Sequence, residues 1–299
     1  MATEQMRENQ ININGLNINY KTIGNGDVLI ILLHGWGISS DKYIETIKLL
    51  SLKAADYNLR LKIIVPDLPG FGKSEEPEEN WDLDDYVVFV DRFIDGVFQK
   101  KGLEQVKNIL KSYDPIKRTE APRKYKTVLI GHSFGGRIAI KYAAKYPDKL
   151  DKLILTGAAG IKHQLSLKRK IFYVLTKTGR EIFLLAEEAK LPVGRIASIG
   201  RRLLYKTVRE RDYLDASPKM KEIMKKVISE DLEPILSQIK TPTLLVWGAL
   251  DRSTPLSDGK IMHERIVDSE LKTVEGADHG LPYRNKEEFI ETVLESIKK

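Results

Sequence analysis

The chain has 299 residues, 42% hydrophobic and 30% charged, an ordinary globular composition with room for one large α/β domain carrying an insertion, or for two modest domains. The absence of cysteine excludes disulfides, a cysteine nucleophile and thiolate metal sites. The formal net charge of +7 is uneven: Lys162 to Lys226 holds 17 Lys and Arg against 7 Asp and Glu, so +10 lies there and −3 on the remainder.

The first ten residues, Met1 to Gln10, are polar and lack an apolar h-region, so no secretory signal is expected. Ile11 to Ile13 and Asn17 to Thr22 alternate apolar and polar residues around Asn14-Gly15, which predicts an antiparallel hairpin. Val28 to Leu33 is a continuous apolar run, the mark of a strand buried on both faces of a largely parallel sheet. Similar runs are Leu61 to Val65, Thr127 to Ile130, Leu153 to Leu155 and Thr243 to Val246, with a shorter strand at Leu271 to Val274. Helical patterns lie between and after them: Tyr43 to Leu52, Leu83 to Phe98, Arg137 to Lys145, Leu256 to Ile266 and Glu287 to Ile297. Strands alternating with helices predict a doubly wound α/β sheet.

Two stretches break the rhythm. Lys100 to Lys124 is polar and partly helical, with turn signals at Asp114-Pro115 and Ala121-Pro122. Gly160 to about Lys240 shows helical patterns and no convincing strand, which predicts a helical insertion. The expected division is therefore 11–159 and 241–299 for the core, with 160–240 between them. No run of 18 apolar residues occurs, so no transmembrane helix is expected, and a cytoplasmic protein fits.

Four segments fall at the C-terminal ends of predicted strands, the edge where open α/β sheets place their ligands. They are His34-Gly35-Trp36-Gly37, Gly131-His132-Ser133-Phe134-Gly135-Gly136, Trp247-Gly248-Ala249-Leu250-Asp251 and Gly276-Ala277-Asp278-His279-Gly280. In the second, a serine sits on a tight strand-to-helix turn that lifts its hydroxyl above the sheet. Taken alone, G-x-S-x-G is a weak signal. Together with Asp67-Leu68-Pro69-Gly70-Phe71-Gly72-Lys73-Ser74 and Gly248-x-x-Asp251, in this order, these motifs make the chain resemble the α/β-hydrolase superfamily, in its esterase-like branch with an H-G-x-G loop. The resemblance runs from about Ile11 to Ile297, and the order Ser, Asp, His matches that superfamily.

The resemblance implies a catalytic triad. Ser133 would be the nucleophile, which needs a base to take its proton. His279 is the candidate base, and Asp251 would fix its tautomer and stabilise the imidazolium. Backbone N–H groups of Trp36 and Phe134 would form the oxyanion hole, where losing one donor typically costs on the order of 10²-fold in rate. Their aromatic rings would shield the site and contact substrate. Asp278 adjoins His279 in sequence, so its side chain should point elsewhere, and Leu155-Thr156-Gly157-Ala158 offers no alternative carboxylate.

The remaining histidines are weaker bases. His34 is expected to support the oxyanion loop by hydrogen bonding, and His132 to pack within the elbow. His163 and His263 fall in helical context without a partner motif. No His/Asp/Glu cluster has metal-ligand spacing, so neither metal nor cofactor is expected. Gly70-Phe71-Gly72-Lys73-Ser74 lacks the spacing of a phosphate loop and reads as a turn.

In the resemblance the basic insertion is a cap that roofs the pocket. Its charges fit a solvated helical face. They equally allow Arg201 and Arg202 to recognise a substrate carboxylate or phosphate, or a weak attraction to anionic surfaces. No nucleic-acid motif is present. The expected activity is a cofactor-independent serine hydrolase, foremost a carboxylesterase for small or medium esters. The same triad would serve a carbon–carbon bond hydrolase, thioesterase, lactonase or perhydrolase, whereas serine at 133 argues against dehalogenases and epoxide hydrolases, which carry aspartate there. A ligand receptor on the same scaffold is the reading from another class.

Overall fold

A computed structural model describes residues 5–98, 125–162 and 216–299. The expected extension at 100–124 and most of the basic insertion, including His163, Arg201 and Arg202, lie outside the described residues. The sheet and its helices belong to one compact unit, Met1–Ile161 with Ser217–Lys299.

Eight strands form one sheet: β1 (Arg7–Ile13), β2 (Leu16–Gly24), β3 (Val28–Leu33), β4 (Leu61–Pro66), β5 (Lys126–His132), β6 (Lys152–Thr156), β7 (Thr243–Gly248) and β8 (Ser269–Val274). Their order is β1-β2-β4-β3-β5-β6-β7-β8. β1 pairs antiparallel with β2, and β2 with β4; every later pair is parallel. The hairpin turn is Asn14-Gly15, both at positive φ (53° and 90°), so that Ile13 faces Leu16 across the shortest loop.

Helices α1 (Ile44–Lys53), α2 (Leu83–Phe98), α3 (Phe134–Lys145), α4 (Pro218–Ser229), α5 (Leu256–Arg265), α6 (Leu281–Arg284) and α7 (Lys286–Lys298) surround it. Side chains alternate across each strand. Ile30, Leu32, Val128, Ile130, Ile154 and Val246 face one side, where Ile47 and Leu50 of α1 meet Phe289, Ile290 and Val293 of α7. Leu29, Ile31, Leu129, Leu153 and Leu245 face the other and are equally buried. There α2 and α3 are joined by Tyr142 Oη donating to Asp91 (3.2 Å) and by a Lys141–Asp84 ion pair (2.7 Å).

Within the stretch 160–240, residues 217–240 pack on this core unit. Ser217 caps α4 by accepting from the Met220 N–H, and Met220, Ile223 and Val227 are buried. The chain then returns beside its own start, the Leu232 N–H donating to the Gly160 carbonyl (2.9 Å), while Arg137 donates to the Glu230 carbonyl and Lys141 pairs with the Glu230 carboxylate (2.7 Å).

The chain order reverses at β3: β4 lies to one side of it and β5 to the other. Such a switch point leaves a crevice at the C-terminal ends of those two strands. The glycine-tryptophan loop leaves β3 there and the serine turn leaves β5. Close approach dictates two glycines. A β-carbon on Gly131 would lie 2.7 Å from the Gly135 carbonyl oxygen, and one on Gly135 would lie 2.2 Å from that of Leu33. Gly135→Ala is therefore expected to destabilise by about 3 kcal/mol, at the upper end for overpacking, because backbone has to move. Denaturant unfolding reads this, and wild-type stability would refute the packing argument.

Candidate active site

Ser133 is the residue between β5 and α3, and its backbone stands at φ 54°, ψ −113°. That pair belongs to the first central position of a type II′ turn, where glycine is the usual residue, and in an L-residue such a conformation costs on the order of 1–3 kcal/mol. Surrounding bonds hold it: the Ser133 N–H donates to Thr156 (3.3 Å), and its carbonyl accepts from Arg137 (3.2 Å) and Ala159 (3.0 Å). Phe134 begins α3, where a helical N–H has no intrahelical acceptor.

The loop after β3 is fixed from beneath by His34, which is fully buried. Its Nε2 accepts from the Leu68 N–H (2.9 Å), so Nδ1 carries the proton and donates to the Gly35 carbonyl (2.7 Å). In a trans peptide the carbonyl and the next N–H point oppositely. Pinning the Gly35 carbonyl thus aims the Trp36 N–H the other way. The Trp36 ring packs edge-on against Phe71 (4.8 Å) and Phe134 (5.2 Å).

Asp251 and His279 come together at the ends of β7 and β8, with His279 Nδ1 2.8 Å from Asp251 Oδ2. Asp251 is 5% exposed, and its carboxylate is fully engaged. Oδ1 accepts the Ser253 (2.8 Å) and Thr254 (3.0 Å) N–H groups, and the Thr254 hydroxyl lies 3.0 Å from Oδ2. Burial opposes ionisation of Asp251, but the hydrogen bond and charge of His279 with those two N–H groups hold its carboxyl below the ordinary range. A hydrogen bond between Ser133 Oγ and His279 is not among those formed by the described residues. Such catalytic bonds commonly tighten only when substrate binds.

Asp278, as its adjacency to His279 requires, turns away. It accepts the Gly280 N–H (2.8 Å) and pairs with Arg284. His263 contacts Ser269 Oγ (2.9 Å) on the far end of α5. Among the described residues no group of three or more His, Asp or Glu could hold a metal ion, and no helix is long and apolar enough to cross a membrane. The Gly70–Ser74 turn is tied by Asp67, which accepts from the Lys73 and Ser40 N–H groups (3.0 and 2.7 Å).

Sequence reasoning missed Thr254 and Tyr43. Thr254 carried a readable signal, a Thr three residues after an Asp that can bond forward to the backbone. Tyr43 carried none, since its partner His132 lies 89 residues away.

His34 and His132 have a consequence for acid stability. Burial, reinforced by neighbouring His279, pushes His132 down to about 3, and burial pushes His34 down to about 4. Unfolded, each would bind a proton near pH 6.5. Their depressed values thus contribute stability present in full above about pH 6.5 and lost as pH falls toward 4 and 3. At pH 5 each removes about 2 kcal/mol relative to neutral pH. Denaturant unfolding at pH 7 and pH 5 measures it, and equal stabilities would show that neither imidazole is held neutral.

The model of a family described as the alpha/beta hydrolase fold matches residues 28–285. A curated relative, the 2-hydroxy-6-oxononadienedioate/2-hydroxy-6-oxononatrienedioate hydrolase of Escherichia coli K12, is 25% identical over 93% of this chain and 90% of its own length. Among solved structures, the enol-lactonase of Burkholderia xenovorans LB400 superposes with a TM-score of 0.65 at 16% identity, covering 97% of this chain and 100% of that one. A meta-cleavage product hydrolase of Pseudomonas fluorescens IP01 gives 0.61 at 20% identity, covering 97% of each. With its sheet order, its switch-point loops and a family match over most of its length, this chain belongs to the α/β-hydrolase family.

Proposed function

We propose that this chain hydrolyses a carbonyl substrate through an acyl-enzyme on Ser133. The observation that carries the reading is the Asp251–His279 Nδ1 bond of 2.8 Å beside a serine held at φ 54°. Asp251 fixes the proton on Nδ1, which leaves Nε2 as the acceptor. Ser133 Oγ adds to the carbonyl carbon as its proton passes to Nε2, and the oxyanion takes the N–H groups of Trp36 and Phe134. Collapse expels the leaving group, which receives the proton from His279. Water, deprotonated by the same nitrogen, then releases the acid and restores Ser133.

The leaving group divides the readings. An ester expels an alcohol. A carbon–carbon bond breaks this way only if the departing carbon is stabilised as an enolate, as a vinylogous diketone allows. The name of the E. coli relative, matched along 93% of this chain, favours the second over a simple ester, so carboxylester hydrolysis is not retained as the leading substrate class. The substrate is then a small molecule carrying a conjugated keto acid, for whose carboxylate Arg201 and Arg202 of the basic insertion are the candidates.

Steady-state hydrolysis of a 2-hydroxy-6-oxo-dienoate against p-nitrophenyl esters of increasing chain length, with Ser133→Ala as control, decides between them. A kcat/KM at least 10²-fold higher for the dienoate is expected. Preference for an ester returns the assignment to carboxylesterases, and turnover of neither by the wild type would favour a binding protein.

A further inference from the structure

The elbow contains a second buried imidazole that the proposed chemistry does not use. His132 precedes Ser133, is 2% exposed, and lies with its ring centroid 4.9 Å from that of His279. Both of its nitrogens are engaged. Nε2 lies 2.9 Å from the backbone carbonyl of His279, and Nδ1 lies 2.7 Å from the Tyr43 hydroxyl. A carbonyl only accepts, so Nε2 carries the proton. Nδ1 of the neutral ring must then accept, and Tyr43 must donate. The tautomer is settled by its partners.

Tyr43 is itself immobilised. It ends the 3-10 turn Ser40–Tyr43, is fully buried, and packs edge-on against Tyr283 (5.8 Å). Its hydroxyl reaches toward the oxyanion loop as well. A β-carbon on Gly35 would lie 3.3 Å from His132 Nδ1 and 3.2 Å from Ser133 Cβ, which places that loop directly over the bonded pair. One chain of contacts therefore runs from the turn before α1, through the residue preceding the nucleophile, to the backbone of the candidate base.

We propose that His132 and Tyr43 are positioning residues: the His132 Nε2–H holds the His279 carbonyl, and the Tyr43 hydroxyl, donating to Nδ1, anchors the other side of the same ring. The inference rests on His279 being the base. Its physical content is geometric. Asp251 orients the His279 ring at Nδ1, but ring orientation alone does not set how far the loop after β8 stands from the elbow after β5. The His132 bond sets that distance, and it does so from the residue adjoining Ser133. If Tyr43 loses its hydroxyl, Nδ1 is left a buried acceptor without a donor and the ring is anchored on one side only. The ring then shifts, its Nε2–H bond to the His279 carbonyl loosens, and the base moves away from the nucleophile.

The test uses Tyr43→Phe, His132→Phe, their double variant, and His132→Gln, whose side-chain amide keeps a donor. Two readouts are followed: p-nitrophenyl acetate turnover, and the downfield proton resonance of His279 Nδ1–H in its bond to Asp251. Each Phe variant is expected to lower kcat roughly 10- to 100-fold, the range for a misplacement near 1 Å, with KM within about twofold. The resonance should shift or broaden in both. The double variant should be no slower than the slower single variant, because the two residues act through one contact. His132→Gln should recover part of kcat and restore the resonance. Wild-type kcat with an unmoved resonance in Tyr43→Phe, or losses that multiply in the double variant, would overturn the proposal. A wild-type protein that turns over no ester and no dienoate would sink the hydrolase reading alone, since the resonance still reports whether Tyr43 and His132 hold His279 in place.

Discussion

Ser133→Ala is expected to abolish turnover, lowering kcat by roughly 10³- to 10⁶-fold while the protein keeps its fold. The loss corresponds to about 4–8 kcal/mol of transition-state stabilisation. Alanine at this position leaves every backbone contact of the elbow in place: the bond to Thr156 and those received from Arg137 and Ala159 involve only main-chain atoms. Those bonds, with the tight glycine contacts at 131 and 135, impose φ 54° on whatever residue stands there. The thermal midpoint should therefore stay within a few degrees, because half-buried Ser133 loses only its hydroxyl and none of these main-chain bonds. A collapse of stability together with activity would mean that the serine is a structural turn residue. Retained activity would remove it from the chemistry.

Asp251→Asn should cost about 10³- to 10⁴-fold in kcat, and the geometry says why. Oδ1 accepts two backbone N–H groups, from Ser253 and Thr254, so the amide oxygen of asparagine must occupy that position. Its NH₂ is then forced to where Oδ2 stood, 2.8 Å from His279 Nδ1. A donor there obliges Nδ1 to accept, which moves the imidazole proton to Nε2 and leaves no lone pair for Ser133. The fold is kept, the substrate still binds, and the base is in the wrong tautomer. KM should change little. A fall of less than about tenfold would move the orienting role to another carboxylate, for which Asp278, engaged by Arg284 and the Gly280 N–H, is poorly placed.

The strands were the most legible part of this chain. β3 and β4 show in the sequence as apolar runs because both faces of an inner strand are covered, and apart from half-buried Lys62 and the terminal Pro66 of β4 only Val, Ile and Leu fill them. Edges and ends were less so. β1 begins at Arg7, four residues before its first apolar residue, because an exposed edge strand is defined by backbone pairing to β2 rather than by burial. α3 begins at Phe134, three residues before its periodic pattern. Gly135 and Gly136 are poor helix formers, and the need for close approach to Leu33 and Ala158 overrides that preference. The pattern at Tyr43 to Leu52 resolves into a 3-10 turn capped by Ser39 and then α1, which is what brings Tyr43 beneath the elbow.

The site divides along the same line. Residues that share a local motif were readable, since the turn geometry after β5 and the glycine-rich loop after β3 are written in adjacent letters. Contacts that depend on strand order were not. That Tyr43 meets His132 follows from β5 standing beside β3 in the sheet, and that His132 meets the His279 carbonyl depends on the course of the loop after β8, arrangements no local window of sequence contains.

Ser133 is proposed to be a nucleophile activated by His279. This is tested most directly by intact-mass and peptide analysis after treating the folded protein with a fluorophosphonate. One adduct per chain, mapped to Ser133, lost in Ser133→Ala and greatly slowed in Asp251→Asn, is the predicted result. No adduct on the wild type, or an adduct that persists in Ser133→Ala, would contradict it.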